Sequence, residues 1–548
     1  MNYTIKRWFK RGFKFLKYVL VSLLLVSILF ACSNVGNQPN APDPTGTNAA
    51  NRITIGTIGE LRTLDPADAF ELLSGNILFN TLDRLYTYAP GTTEIVPQLA
   101  TALPEISADG LTYRIPIREG VKFHDGTDFD ATAMAFSLQR FIDLDGSPSF
   151  LLDDVESVEA TSVTELVIKL KQPLQFFPKL LAFTGAGAIS PTAYAESTEF
   201  QPNNLVGTGP YQLIEYKEGN VLRLDAFADY WGEKPANAGI DMQFISSNGN
   251  LLNAFKTGAV DVAFQTLSPT QIKNIEDNAA AEGWTVTSGQ GATLLFMVVN
   301  VKQPPLDDVR VRQAIAAAID RPLLQKRVFL NQRTPVYSMV PITFNAYKPT
   351  FQERYGDGNG ELARQLLAEA GYSDQNPLLL NLWYPPQYAG SGDLVVSTLK
   401  AVIERNLGNI IKVKLDKVPK TTAYAFIEEG AYPTFLLDWI PDFFDPDNFI
   451  SPFLRCNEAD ENGCIDGSTK YWGSFYNNEE MNKLIAQQRI EQDPIERNQM
   501  LGRIQEILAR DVPFIPLWQN KEYAFAGKGI KGVTIEPTQQ LPYWSISK

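Results

Sequence analysis

Between Leu437 and Phe449 four carboxylates, Asp438, Asp442, Asp445 and Asp447, stand among Trp439, Phe443, Phe444 and Phe449, with Pro441 and Pro446 excluding any ordinary helix. Apolar walls strengthen a carboxylate's attraction for a cation and make an unpaired carboxylate costly. An acid buried here needs a partner, and a ligand ammonium could be that partner. The alternative is that Asp442, Asp445 and Asp447 cap turns and face water. An EF-hand does not fit, because its spaced glycine and terminal glutamate are missing.

Other chemistry is sparse. There is one histidine, His124, in a Phe-His-Asp-Gly stretch that reads as a turn, so a structural role is expected. No Gly-x-Ser-x-Gly elbow, His-Glu-x-x-His pair or Cys-x-x-Cys pair occurs, and Gly207-Thr-Gly-Pro210 lacks the Lys-Ser/Thr of a phosphate loop. Catalysis by two carboxylates stays open, since paired acids need no fixed spacing. The balance favours a binder over an enzyme, with no metal and no cofactor.

The elements that would position such a site alternate. Residues 52–58 and 165–170 read as strands, and Tyr113 to Ile117 as a strand whose Pro116 argues for a sheet edge. Further strands are expected near 211–216, 221–226 and 240–245. Thr293 to Asn300 is continuously apolar, as a strand buried on both faces would be. Helices are expected from about Ser74 to Leu85, after an Asp130 N-cap, after Asp307 or Asp308, over Glu361 to Ala370 with Gly371 as the stop, and over Met481 to Arg510 split at Pro494. Alternation without a fixed repeat means α/β layers.

The chain has 548 residues, 44% apolar and 20% charged, too long for one core and too apolar for disorder. Its formal charge is −14, and without residues 1–31, which carry basic residues and no acid, it is −20. Such a body repels phosphate backbones and anionic headgroups, which argues against nucleic acid and against polybasic membrane adhesion.

Residues 1–31 read as a secretory signal: a basic stretch, then an apolar run from Tyr18 to Ala31 shorter than the roughly 20 residues of a membrane span. Leu29-Phe-Ala-Cys32 looks like a lipobox, with Cys32 lipidated and residues 32–51 forming a flexible linker. An uncleaved anchor is the competing reading, and both place the body outside the cytoplasm, periplasmic or at the cell surface, held to the outer face of the cytoplasmic membrane. Cys456 and Cys464 remain, and an even number in an exported chain suggests a disulfide. Metal ligation competes, but two thiols without histidine make a poor site.

An ordered series of blocks resembles the extracellular solute-binding proteins of family 5, the peptide and nickel receptors of ABC importers. It comprises residues 98–140 with Asp109-Gly-Leu-Thr-Tyr113 and Arg118-Glu-Gly-Val-Lys-Phe-His-Asp-Gly126, then Asn204 to Tyr211, Phe255 to Asp261, Pro305 to Ala314, Ala318 to Arg321 and Leu366 to Tyr372. The resemblance implies a two-lobed, hinged, type II periplasmic-binding-protein-like α/β fold with an additional third domain. Lobe I would combine 52–84, 204–292 and 512–548, the extra domain 85–203, and lobe II 293–511, with hinge crossings near Thr293 to Asn300 and Pro513 to Trp518. It further implies a monomer that captures peptides in the interlobe cleft and delivers them to the permease and ATPase subunits of a transporter. A nickel chelate, an oligosaccharide or another solute is the rival ligand. In peptide-binding members an Asp of a Trp-x-x-Asp-x-x-Asp-Pro-x-x-Phe stretch pairs with the ligand's α-ammonium. Trp439, Asp442, Asp445, Pro446 and Phe449 fall on that pattern, making Asp442 the anchor candidate and Trp439 a candidate wall. Trp383, Tyr384 and Tyr388 could add aromatic walls or pack at a strand end, with Tyr471 and Trp472 weaker candidates. Leu436 replaces an arginine that oligopeptide receptors can carry, so ligand length does not transfer.

Overall fold

The computed structural model describes residues 51–548 apart from Glu60, Gln387 and residues 195–197, 265–266 and 389–391. The signal segment, Cys32 and nearly all of the linker lie outside the described residues. Among the described residues no helix is long and apolar enough to cross a membrane.

The alternating Arg52–Thr57 segment lies inside a large mixed sheet. Its strands run in the order Ile411–Lys417, Leu378–Tyr384, Thr434–Trp439, Thr285–Val299, Phe514–Ala526, Val262–Phe264, Arg52–Thr57, Gly239–Phe244, Val221–Ala226 and Tyr211–Lys217, with Arg333–Pro335 added beside Phe514–Ala526. Two strands join its halves. Thr285–Val299 and Phe514–Ala526 pair antiparallel, but their register breaks between Gln290 and Leu294. Before the break, Thr285 to Gln290 face Lys521 to Ala526; after it, Leu294 to Val298 face Phe514 to Gln519. The break is therefore where the halves join with least backbone pairing, the property a hinge requires.

Three main cores flank this frame. The largest runs from Ala292 to Trp518 and fills one half of the sheet. Phe514 to Trp518 belong to it, so the chain leaves that core near Gln519, a few residues beyond the boundary expected at 512. A second core combines Ile53 to Leu82, Ile189 to Phe264 and Ala524 to Ile546. The third collects Leu85 to Ala188 around the four-stranded sheet of Glu105–Ile106, Thr112–Pro116, Glu165–Leu170 and Val155–Ser162. Thr112–Pro116 is central in that sheet rather than at its edge. Pro116 is tolerated because the neighbouring strand Glu105–Ile106 reaches only Arg114 and Tyr113, leaving the proline's missing N–H without a strand partner to disappoint.

Local signals were obeyed where a side chain could act within one turn. Asp130 accepts from Ala133 N at 2.9 Å and opens the helix Ala131–Asp143, and Asp308 caps Val309–Ala318. The helix expected to end at Leu85 ends at Thr81, with Leu82 extended and Asp83 and Arg84 beyond it outside any helix. His124 is half-buried, and desolvation pushes its pKa down to about 4, so the ring is neutral. Its Nδ1 accepts from Gly207 N at 3.2 Å and its Nε2 donates to Gly209 O at 3.0 Å. The ring thus fastens the Gly-Thr-Gly-Pro loop to its own turn, and Gly209 N donates to Thr81 O at 3.0 Å to hold the loop against the end of the first helix. A side chain at Gly209 would lie 2.5 Å from the Thr81 carbonyl carbon, which is why glycine stands there.

Candidate functional site

Between the halves lies a cavity of about 470 Å³, within the size range of small-ligand sites. Phe70, Phe79, Arg84 and Tyr88 face it from one side, and Tyr424, Trp439, Asp442 and Trp472 from the other. The second wall comes from the end of the strand Thr434–Trp439 and the irregular chain after it, where Pro441 ends regular structure.

Asn448 organises that chain. Its Oδ1 accepts from Trp439 Nε1 at 3.0 Å and from Asp442 N at 3.1 Å, while its Nδ2 donates to Asp442 Oδ2 at 3.2 Å. Trp439 packs edge-on against Phe453 and Trp472, with centroids 5.1 and 5.7 Å away. Among the described residues Asp442 makes no ion pair. Desolvation pushes its carboxyl up to about 6, the Asn448 bond opposing only part of that.

The other acids of the segment are spent. Asp445, fully buried, receives Arg497 at 2.5 and 3.0 Å and Lys179 at 3.0 Å; burial opposes ionisation, yet those cations hold its carboxyl down at about 2. Asp445 also accepts from Asp447 N at 3.0 Å, so the turn-capping expectation holds for its geometry, whereas the expected exposure to water does not. Asp447 is buried as well, bonded to Ser451, Gln488 and Arg489, the last at 2.6 Å. Burial still pushes its carboxyl above the ordinary value. Asp438 pairs with Lys420 at 3.2 Å. A more open cavity of about 850 Å³ borders Lys179, Asp445 and Arg497, but both cations are already paired with Asp445.

On the opposite wall, Asp83 is fully buried and accepts from Gln98 Nε2 at 2.7 Å, Trp231 Nε1 at 2.8 Å, Thr208 Oγ1 at 3.1 Å and Tyr230 OH at 3.3 Å. Burial pushes its carboxyl up to about 6 in spite of them. Arg84 beside it is 1% exposed. Tyr88 ties the walls together, its hydroxyl accepting from Phe444 N at 3.1 Å and its ring meeting Phe444 edge-on.

Of the residues singled out in the sequence, Asp442, Trp439 and Trp472 line the cavity; Trp383, Tyr384, Tyr388 and Tyr471 do not. Trp383 packs on Tyr432 and the Tyr384 hydroxyl donates to Asp393 at 2.8 Å, so these rings are engaged where their strand ends. Tyr388 is buried in the large core. Cys456 and Cys464 are bonded to each other, with Cα atoms 5.8 Å apart, at the hairpin of Glu458–Asp460 and Gly463–Asp466. Asn448, Asp83 and Arg84 were missed. The visible signal for the last two was an adjacent acid and base inside the apolar run Ile77 to Tyr88.

Known proteins share this architecture. The Glutathione-binding protein GsiB of Shigella flexneri is 28% identical over 506 residues, covering 89% of this chain and 93% of its own length. The periplasmic binding protein DppA from Helicobacter pylori, solved with the peptide STSA, superposes with a TM-score of 0.71 at 22% identity, covering 90% of this chain and 97% of that one. NikZ from Campylobacter jejuni, solved with Ni(L-His), gives 0.73 at 19%, covering 91% and 99%. The fold is thus the two-lobed α/β fold of periplasmic binding proteins, with the cavity between the lobes. The model of the bacterial extracellular solute-binding proteins, family 5 Middle, matches residues 94–461, and the chain belongs to that family.

Proposed function

We propose that this protein is the receptor of an ABC importer for short peptides, held by their free α-ammonium group at Asp442. The observation that carries this reading is a partly buried carboxylate, walled by Trp439 and Trp472, that has no cation among the described residues while its neighbours Asp438, Asp445 and Asp447 each have one. A carboxylate kept this way loses stability unless a ligand neutralises it. The glutathione-binding relative and the DppA complex with STSA support a peptide-type ligand on this scaffold. A ligand touching both lobes stabilises the closed arrangement by its differential affinity, and the membrane subunits would read that closure. The lobe assignments 52–84, 204–292 and 512–548 against 293–511, with 85–203 as an extra domain, belong to this proposal, moved at 512 as described. So do monomeric action and a lipid anchor at Cys32, which would keep the body beside its transporter.

The test is retention from a mixture of di- to tetrapeptides in free and N-acetylated forms, read by mass spectrometry after the protein is washed and denatured. The expected result is intact peptides with the free forms enriched. Equal retention of N-acetylated forms would refute Asp442 as the anchor. Cleaved peptides would point to a hydrolase, and retention only of a nickel chelate or a sugar added to the mixture would replace the ligand class.

A further inference from the structure

The wall opposite Asp442 carries a second, oppositely charged group that makes no ion-pair contact among the described residues. Arg84 lies just past the helix Leu72–Thr81 and borders the cavity, with its guanidinium carbon 5.1 Å above the ring centroid of Phe79. Its bonds are weak: Nη1 to Leu82 O and Nη2 to Thr87 Oγ1, each at 3.3 Å, and Nε has no partner. The adjacent acid does not compensate it. Asp83 turns to Gln98, Trp231, Thr208 and Tyr230, and its charge reaches Arg84 without an ion-pair contact. The cavity's other cation, Lys420, already holds Asp438. A buried guanidinium is a rigid fork of donors suited to a carboxylate, and desolvation, which the charge of Asp83 only partly offsets, disfavours its charged form.

We infer that Arg84 receives a carboxylate of the ligand, so that the cleft selects solutes carrying an ammonium group for Asp442 and a carboxylate for Arg84, as a short peptide with both ends free does. The inference rests on the peptide reading above and extends it to the ligand's second pole. Arg84 sits on the wall built from residues 69–98 and Asp442 on the wall built from residues 420–472, so one ligand neutralises both charges only when it spans the cleft. A solute with one charge leaves the other buried group unpaired, which is discrimination by penalty. The loop fastened by His124 has a part in this, because Thr208 within it holds Asp83 away from the guanidinium.

The test adds C-terminally amidated peptides to the retention mixture and compares the wild type with Arg84→Gln and Arg84→Lys. The wild type is expected to retain free acids at least tenfold over amides. Arg84→Gln is expected to retain acids and amides alike while still rejecting N-acetylated forms, and Arg84→Lys to recover part of the preference. Wild-type protein that retains amides as well as acids overturns the inference, and this arm needs no variant to fold. An unchanged acid preference in Arg84→Gln, with a melting temperature near that of the wild type, overturns it too. Loss of discrimination against N-acetylated peptides alone would instead strike the Asp442 reading, so the two failures are separable. Failure of the wild type to retain any peptide overturns both.

Discussion

Asp442 and Asp445 stand three residues apart in one loop, and their surroundings have made opposite groups of them. Asp445 is sealed under Arg497 and Lys179, bonded by both, and ionised far below the ordinary range. Asp442 has Asn448 as its hydrogen-bond partner and faces a cavity between aromatic rings. The first acid uses its charge to join parts of the chain: Lys179 belongs to the region of the third core, and beside it Phe443 stacks on Phe176 at 5.0 Å. The second holds its charge in reserve. The same residue type is a fastener where the protein supplies the cation and a receptor where it withholds one.

Removing the fastener's partner should have the largest effect. Arg497→Met leaves Asp445 buried with Lys179 alone and should destabilise the fold by about 3 to 5 kcal/mol, the range for breaking a buried pair by deleting one member. Urea unfolding checks this. A loss below about 1 kcal/mol would mean that the pair behaves like a surface ion pair, and the contrast with Asp442 would collapse.

Asp442→Asn sharpens the comparison from the other side. The substitution keeps the shape and the Asn448 contact but removes the charge. Binding of a free-amino peptide should weaken by about 2 to 5 kcal/mol. The ligand-free protein should meanwhile become more stable at neutral pH, because a carboxyl raised from 3.8 to about 6 is harder to ionise when folded than when unfolded. Part of that loop is solvated, so the gain is put at about 1 to 2 kcal/mol. Calorimetry reads the first change and thermal unfolding the second. A variant less stable than the wild type would make Asp442 one more structural acid.

What the sequence revealed follows the reach of each interaction. Caps at Asp130 and Asp308 act over two or three residues, and the split at Pro494 needs only the proline ring, so all were legible. The family pattern likewise marked Trp439 and Asp442. It could not separate Asp442 from Asp445 and Asp447, because the partners that distinguish them, Lys179, Arg497 and Arg489, lie 266, 52 and 42 residues away. Arg84 was hidden for a related reason. Apolar spacing carried the expected helix on to Leu85, whereas the chain turns extended at Leu82, where Gly207 and Gly209 press against it. Trp383 and Tyr384 show the limit of composition: aromatic residues at a strand end fit a cleft or a core equally, and their actual partners are Tyr432 and Asp393.

Acid separates the two aspartates by sign. Asp445 has its folded pKa lowered, so its stabilisation is present above the unfolded value of 3.8 and is lost as pH falls through about 2. Asp442 has its folded pKa raised, so the folded state binds more protons between 3.8 and about 6, and its cost to the ligand-free fold disappears as pH falls through that window. An ammonium ligand needs the ionised form. Between pH 7 and pH 5 affinity for a free-amino peptide should therefore fall by roughly tenfold, the factor for one unit below the titration midpoint. Asp442→Asn should flatten the profile over the same range, while Arg497→Met should leave its midpoint in place. A midpoint that moves with Arg497, or that survives in Asp442→Asn, would assign the titration elsewhere on the cleft, with Asp83, also raised to about 6, as the next group to test.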